Sequence, residues 1–338
     1  VVIKSSFKLK KMKSPFTGGN AILKTEKAEL EFRREKFQYI SLYYLCEDTN
    51  ERFTTTEIDT LNLSQVYNQY RVKYGIPFPD EIQNIRKSYA LPASKMSTIL
   101  GFGDNQYRLY ENGDIPSEAN GKILSLIKNK DVFRSFVENA KNQLETKEYQ
   151  KILTSLNKVV DDNQHTMEEK MIFSANSRSL LNGYAIQSYD KLKNVILYLL
   201  DKCGNTFNTK MNKLLFYTDF LSYKQYGKGI TGLSYNAIQY GPVPLRWDRV
   251  YSLVDGVEAD LIEFNHDISG TELHPTERPD LDKLTPQEID VMNIIAEKFK
   301  DMSCADISAL SHKEDAWKDY HDSKDLILFN EAFNLKAV

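Results

Sequence analysis

Apolar residues along the chain follow two different periods, and the change between them divides the sequence. Between residues 14 and 55, β-branched and aromatic residues alternate roughly with charged ones, as they do in half-buried strands. From Thr56 onward, Leu63, Val66 and Tyr70 recur at helical spacing until the segment GIPFP interrupts the helix. The sequence therefore predicts a small N-terminal β domain followed by helices.

Residues 80–128 are predicted to form a compact set of short helices. A turn with two glycines, GFG at 101–103, separates two of them, and the next helix begins with the polar residues DNQ. Two short helices joined by a three-residue, glycine-containing turn are typical of a helix-turn-helix. The apolar faces of the two preceding helices contain Ile82, Ile85 and Tyr89, and Met96, Ile99 and Leu100.

The remainder of the chain divides into a polar helical stretch and an apolar one. Residues 129–185 are interpreted as a helical linker region with no large core of its own. Beyond it, the pattern predicts several buried helices and a short strand pair in GLSYNAIQYGPVP, and TPQE at 285–288 has the form of a capping box. We expect a mainly α protein with a small N-terminal β domain, α+β overall, divided into residues 1–55, 56–128, 129–185 and 186–338.

Composition narrows the possible function classes. Apolar residues make up 41% of the chain and charged residues 27%, and no apolar run is long enough to cross a membrane. Three widely spaced cysteines, an odd number, favour a reducing cytoplasm over a disulfide framework. The formal net charge of −3 predicts no strong overall attraction to nucleic acid, so a DNA contact requires a local patch.

The helix after the GFG turn carries side chains suited to reading DNA. Asn105 and Gln106 are of the types that pair with adenine, and Arg108 can reach a phosphate or a guanine. Tyr107 is expected to face inward and attach this helix to its partner. The alternative is a helical hairpin with a solvated polar tip, because residues 80–130 contain seven basic and six acidic side chains.

The segment DEIQNIRKSYALPASKMSTILGFGDNQYRLYENGDIP resembles the Xre/Cro-type helix-turn-helix of MqsA-like antitoxins, and KSPFTGGN to about Tyr74 resembles their N-terminal part. In that family an asparagine and an arginine four residues later read the operator. Here the asparagine is Asn105, and the second position holds Leu109 with Arg108 beside it. The resemblance implies a homodimer that contacts operator DNA through Asn105, Gln106, Arg108, Leu109 and Lys95.

MqsA-like proteins also hold a structural zinc ion with two Cys-x-x-Cys pairs. This chain has Ser14 and Thr17 at the first pair and Cys46 and Thr49 at the second, so one thiol of four remains. Hydroxyl groups are poor zinc ligands. We therefore predict no metal and no cofactor, and expect aromatic side chains to hold the ribbon: Phe16, Phe37, Tyr39, Tyr43 and Phe53.

Three marks near the C-terminus resemble the SocA-like Panacea domain, an antitoxin module. They are KLLFY at 213–217, YGPVP at 240–244 and SHKEDAW at 311–317, and the resemblance covers roughly residues 186–335. It implies a mainly helical module with a small β element whose partner is a protein toxin.

Aromatic residues cluster in the same module. Large amphipathic rings often anchor protein interfaces, although each ring taken alone is more typical of a core. The predicted toxin-binding residues are Tyr217, Tyr223, Tyr226, Tyr240, Arg246, Trp247 and Tyr251.

The sequence contains no pattern that predicts catalysis. No zinc spacing, Gly-x-Ser-x-Gly elbow, phosphate loop or dinucleotide fingerprint is present, and the charges near His312 and His321 are interpreted as a solvated helix face. We expect a non-enzymatic, cytoplasmic antitoxin that neutralises a toxin and represses its own operon. The alternatives are a stand-alone transcription regulator and a proteolytic adaptor for a client protein.

Overall fold

The computed structural model describes residues 12–157, 166–173, 177–265, 268–323 and 325–338. The first eleven residues of the predicted β domain, and the predicted linker at 158–165 and 174–176, lie outside the described residues. The described residues form two compact units. One comprises residues 12–29, 38–63 and 166–338, and the other comprises residues 30–37 and 64–157.

The N-terminal strands form a four-stranded sheet in the order β1-β2-β3-β4, in which β1 and β4 pair antiparallel with their neighbours. The predicted strand region is confirmed. The ring of Phe53 packs edge-on against Phe16 at 5.8 Å and stacks on Tyr44 at 5.5 Å, so aromatic contacts support this sheet. The strands are β1 (Met12–Lys13), β2 (Asn20–Phe32), β3 (Glu35–Cys46) and β4 (Arg52–Phe53).

The first helix, α1 (Thr56–Tyr74), ends where the sequence predicts, at Gly75 with its left-handed φ of 62°. Its start differs in one detail: the hydroxyl of Thr55 accepts the amide hydrogen of Ile58 at 3.3 Å. Thr55, one residue before the start of the predicted helical pattern, therefore supplies the capping oxygen.

Six helices of one unit share a continuous core: α2 (Pro79–Ser88), α3 (Ala93–Leu100), α4 (Gln106–Glu111), α5 (Glu118–Leu126), α6 (Lys130–Asn139) and α7 (Thr146–Leu156). The predicted boundary at residue 128 is corrected, because Phe133, Val137, Ile152 and Leu156 are buried in this core. The amphipathic helices α6 and α7 complete the unit and do not form a coreless linker.

The C-terminal elements surround one buried helix, α10, whose side chains from Lys210 to Gln225 are all buried. It contacts α12, α13, the strand β7 and a 3₁₀ helix at Phe329–Asn334. The predicted strand pair is confirmed as the β6–β7 hairpin, and the predicted capping box at Thr285 begins α12. The described elements are α8 (Thr166–Ile172), α9 (Tyr189–Cys203), β5 (Thr206–Phe207), α10 (Asn208–Tyr226), β6 (Tyr235–Ile238), β7 (Gly241–Pro244), α11 (Trp247–Leu253), β8 (Val257–Asn265), β9 (Ile268–Pro275), α12 (Pro286–Phe299), α13 (Cys304–Ser311) and α14 (Asp315–Lys318).

The predicted fold class is confirmed: helices dominate, and a small antiparallel sheet lies at the N-terminus. Strands β5, β9 and β8 form a second small sheet in that order. None of the helices in the described part of the chain combines the length and the hydropathy that a membrane span requires.

Candidate DNA-binding and partner-binding sites

The four residues that the sequence analysis compared with zinc ligands, Ser14, Thr17, Cys46 and Thr49, lie together at the N-terminal sheet. Thr17 Oγ1 lies 3.7 Å from Cys46 Sγ, and both Ser14 and Cys46 are buried. Hydrogen bonds from the side chains of Ser14 and then Thr49 lower the pKa of the Cys46 thiol to about 6. Within the described ranges, no three His, Cys, Asp or Glu side chains are grouped as metal ligands. The cluster thus places three hydroxyl groups around one buried thiol.

The two helices predicted to form a helix-turn-helix are α3 and α4, and a tyrosine attaches α4 to its neighbours. Tyr107 is fully buried, its amide donates to Ser97 Oγ at 3.1 Å, and its hydroxyl donates to the carbonyl of Ile82 at 2.8 Å. The predicted inward orientation of Tyr107 is therefore confirmed. Because Tyr107 bonds two neighbouring helices, one through its main-chain amide and one through its hydroxyl, the six-residue helix α4 has a fixed position in this unit.

The predicted DNA-reading residues surround the start of α4 at its surface. Asn105 is the N-cap residue rather than part of the helix, and its left-handed φ of 60° is one that asparagine tolerates better than most residues. Asn105 and Arg108 are exposed, Gln106 is half-buried, and Leu109 has 43% of its surface exposed. These four residues form one exposed tip.

Lys95 forms an ion pair with a glutamate of the same unit. Its ammonium lies 2.8 Å from Glu148 Oε2, which belongs to α7 of the same unit. A phosphate contact by Lys95 would have to compete with this half-exposed ion pair. Such a pair contributes little to stability, so exchange of partners costs little free energy.

Three of the predicted toxin-binding aromatics are core residues, which corrects the sequence analysis. Tyr217 is 0% exposed, Tyr223 1% and Tyr251 7%. Tyr217 stacks on Phe299 with ring centroids 4.8 Å apart, and the hydroxyl of Tyr251 donates to Asn212 Oδ1 at 2.7 Å. Aromatic clustering in the sequence reflects the dense core around α10 and not a surface.

The other four predicted residues reach the surface to different degrees. Tyr240, in the turn of the β6–β7 hairpin, is 63% exposed, whereas Tyr226, Trp247 and Arg246 are half-buried. The guanidinium of Arg246 donates to the carbonyls of Lys170 and Met171, both at 3.1 Å, at the end of α8. Arg246 therefore connects α8 to the start of α11.

The three sequence marks of the module converge on the β6–β7 hairpin and α10. The indole of Trp317 donates to the carbonyl of Ile238 at 2.8 Å and stacks on His312 with ring centroids 4.2 Å apart. Gly241, from the second mark, lies against Lys213 from the first. A pocket of about 450 Å³ opens beside the hairpin, lined by Asn236, Ala237, Ile238, Gln239, His321 and Asp322.

Glu314 is buried, contrary to the expectation of a solvated helix face. It is 1% exposed, and it accepts the amide hydrogens of Lys336 at 2.8 Å and Ala337 at 2.9 Å and the hydroxyl of Tyr217 at 3.3 Å. The carboxylate thus connects α10 to residues near the end of the chain. Sequence analysis missed this role because its partners are main-chain amides 22 and 23 residues away.

Asp219 is a second buried acid that the sequence analysis did not identify. It is 0% exposed and accepts hydrogen bonds from the amides of Ile230 at 2.7 Å and Thr231 at 2.8 Å and from the hydroxyl of Tyr235 at 2.5 Å. A charged residue within the otherwise uncharged helical segment 214–221 was the available signal. Its role is to fix the loop after α10.

Comparison with protein families connects this module to known proteins. Residues 211–318 match the family of the antitoxin SocA-like, Panacea domain, over less than half of the chain. Neither the curated proteins nor the solved structures contain a match to the chain. All three sequence marks lie within or overlap the matched range. The C-terminal part of this protein is therefore similar to the SocA-like antitoxin domain.

Proposed function

We propose that this protein is the antitoxin of a toxin–antitoxin pair, that it neutralises a protein toxin by direct binding, and that it acts without catalysis. The observation that carries the proposal is the match of residues 211–318 to an antitoxin domain family. The convergence of the three marks on one hairpin supports it, because it gives these residues a common structural purpose.

The toxin-contact surface is assigned to the β6–β7 turn and the adjoining pocket. Tyr240 and Ile238 are exposed apolar side chains at this turn, 63% and 37% exposed, and the pocket of about 450 Å³ lies beside them. An exposed aromatic next to a concave, partly apolar surface is the usual arrangement of an interface anchor.

The second part of the proposal is operon autorepression through α3 and α4 by a homodimer. It is supported by the exposed tip formed by Asn105, Gln106, Arg108 and Leu109, and by the fixed position of α4. Readers of this type place the start of the second helix in the major groove. A stand-alone regulator or a proteolytic adaptor would share much of this architecture. Binding of a toxin is therefore the property that distinguishes an antitoxin from these two alternatives.

The experiment is co-expression of the full chain with the product of the adjacent small open reading frame. We expect that product to arrest growth alone and the full chain to restore growth and to co-purify with it. Tyr240→Ala should weaken rescue, whereas Leu281→Ala, a change at a 49% exposed side chain elsewhere in the module, should not. If the neighbouring product neither arrests growth nor co-purifies, the antitoxin assignment fails.

A further inference from the structure

Lys213 is a buried lysine whose ammonium has no hydrogen-bond partner within the described part of the chain. Its side chain is 0% exposed. The other buried lysines of α10 differ: Lys210 donates to the carbonyl of Lys300 at 2.7 Å, and Lys224 to that of Leu335 at 3.0 Å. Burying an ammonium without a partner costs several kcal/mol, so this exception requires an explanation.

His312 adds a second unpartnered basic atom, on a ring that the charge of Lys213 reaches. Its Nε2 is buried without a hydrogen-bond partner in the described residues, although the ring as a whole is half-exposed. Burial, and then the charge of Lys213, lowers the pKa of His312. The other titratable group that acts on Lys213 in the described ranges is the thiol of Cys304. Two basic groups thus share a buried site to which no carboxylate contributes charge in the described chain.

The hairpin backbone lies directly over the ammonium of Lys213. A Cβ at Gly241 would lie 2.7 Å from Lys213 Cε and 3.3 Å from its Nζ, and it would collide with Ser311 Oγ. Gly241 also has a left-handed φ of 103°. Both the lack of space and the backbone conformation therefore exclude a side chain at this position. Because Gln239 and Tyr240 in the turn are exposed and His312 is half-exposed, the buried site is separated from solvent by one turn and one ring.

We propose that Lys213 and His312 form a binding site for a small oxyanion, a carboxylate or a phosphate, beneath the β6–β7 turn. The oxyanion supplies the counter-charge that Lys213 lacks, and it accepts hydrogen bonds from Nζ and from Nε2 of the His312 ring in the tautomer that carries its proton on Nε2. The anion is either a free ion or the side-chain carboxylate of a protein bound at the turn. The site itself is independent of the identity of the proposed toxin.

The test is thermal unfolding of the full chain at pH 7 in rising concentrations of sodium phosphate, of sodium acetate and of sodium chloride at equal ionic strength. A ligand that binds the folded state raises the unfolding temperature with the logarithm of its concentration. We expect phosphate or acetate to raise it above the chloride reference. A larger effect of phosphate identifies a free tetrahedral ion, and an effect of acetate alone identifies a carboxylate.

Two variants localise the effect. Lys213→Met and His312→Gln should each abolish the increment over chloride, whereas Lys298→Met, a change at an exposed lysine on α12, should preserve it. If one variant fails to fold, the other still shows whether the increment in unfolding temperature depends on this site. An increment that survives in Lys213→Met or in His312→Gln, or a wild-type protein that responds equally to all three salts, would overturn the proposed site.

Discussion

A single buried charge makes the stability of this protein depend on pH. Burial lowers the pKa of Lys213 from 10.5 to about 8, while the nearby Cys304 thiol acts in the opposite direction. At this side chain the unfolded chain therefore binds more protons than the folded one between pH 8 and 10.5, so Lys213 contributes a gain in stability as the pH rises across that window. Below pH 8 the folded protein bears the full penalty of the buried cation.

The first prediction follows from this penalty. The shift from 10.5 to about 8 corresponds to about 3 kcal/mol. Lys213→Met should therefore be more stable than the wild type at pH 7 by up to roughly this amount. It should also lack the gain in stability between pH 8 and 10. Urea unfolding at both pH values measures this, and equal pH dependence in the two proteins would contradict the burial of a charged Lys213.

The zinc-ribbon interpretation of the N-terminal region can be tested by introducing cysteines around Cys46. Ser14, Thr17 and Thr49 occupy three positions around one buried thiol, and four thiolates at such positions bind zinc tetrahedrally. The triple variant Ser14→Cys, Thr17→Cys, Thr49→Cys should bind one zinc ion and unfold at a higher temperature with zinc than with chelator. Elemental analysis and unfolding with and without chelator measure the two effects.

The wild type and the variant Ser14→Cys, Thr17→Cys are the controls, because they offer one and three thiols. Stoichiometric zinc in the wild type would contradict the prediction that the site has lost its metal. A triple variant that folds but takes up no zinc would contradict the zinc-ribbon interpretation of this sheet.

At the scale of elements, the short helix α4 shows which structural features can be predicted from the sequence alone and which cannot. Its existence, the turn before it and the inward orientation of Tyr107 follow from glycine placement and helical spacing. The left-handed Asn105 was not predicted: the sequence analysis began the helix at Asp104, whereas the helix begins at Gln106. Backbone conformation at a cap depends on what the chain packs against, which the local pattern does not contain.

Long-range contacts explain the other differences. The boundary at residue 128 was wrong because α6 and α7 are polar on one face and bury the other in a distant core. Tyr217 and Tyr240 have the same side chain in the same module, yet one is 0% and the other 63% exposed. Only the packing of α10 against α12 and β7 distinguishes them, so clustering in the sequence located the module but not its surface.

The conformation of Asn105 determines how its proposed DNA contact should be tested. Asn105→Ala removes the amide and also places alanine in a left-handed conformation, which costs about 1 kcal/mol of folding stability. Asn105→Gly also removes the side-chain amide, but glycine adopts the left-handed backbone conformation without strain. We expect Asn105→Gly to fold normally and to lose about 1–3 kcal/mol of affinity for the promoter DNA upstream of its own gene.

Titration against that promoter and against random DNA of equal length measures the loss. The matched control is Asn112→Ala, a change at the opposite end of α4 where the backbone is not left-handed. If Asn105→Gly binds the promoter and the random DNA as the wild type does, α4 is not the recognition helix.

At the scale of the whole molecule, the two proposed activities belong to different compact units. Asn105 lies in the unit that contains residues 64–157, and Tyr240 lies in the unit that contains residues 166–338. Mutations distant from each other and without shared partners act additively. Damage to one activity should therefore leave the other intact, provided that the chain folds.

Separation of function in the full chain tests this directly. Asn105→Gly should derepress a reporter fused to the upstream promoter while it still rescues cells that express the neighbouring gene product. Tyr240→Ala should give the reverse result, with normal repression and weakened rescue, because truncating an exposed anchor costs binding energy but little stability. Quantitative growth and reporter assays on the same four strains, including the wild type and the double variant, provide both readouts.

Loss of both activities in either single variant would mean that toxin binding and DNA binding are coupled, because one substitution would then act at two sites. In that case the toxin would act as an effector of repression, and the promoter affinity of purified protein would change when the neighbouring gene product is added.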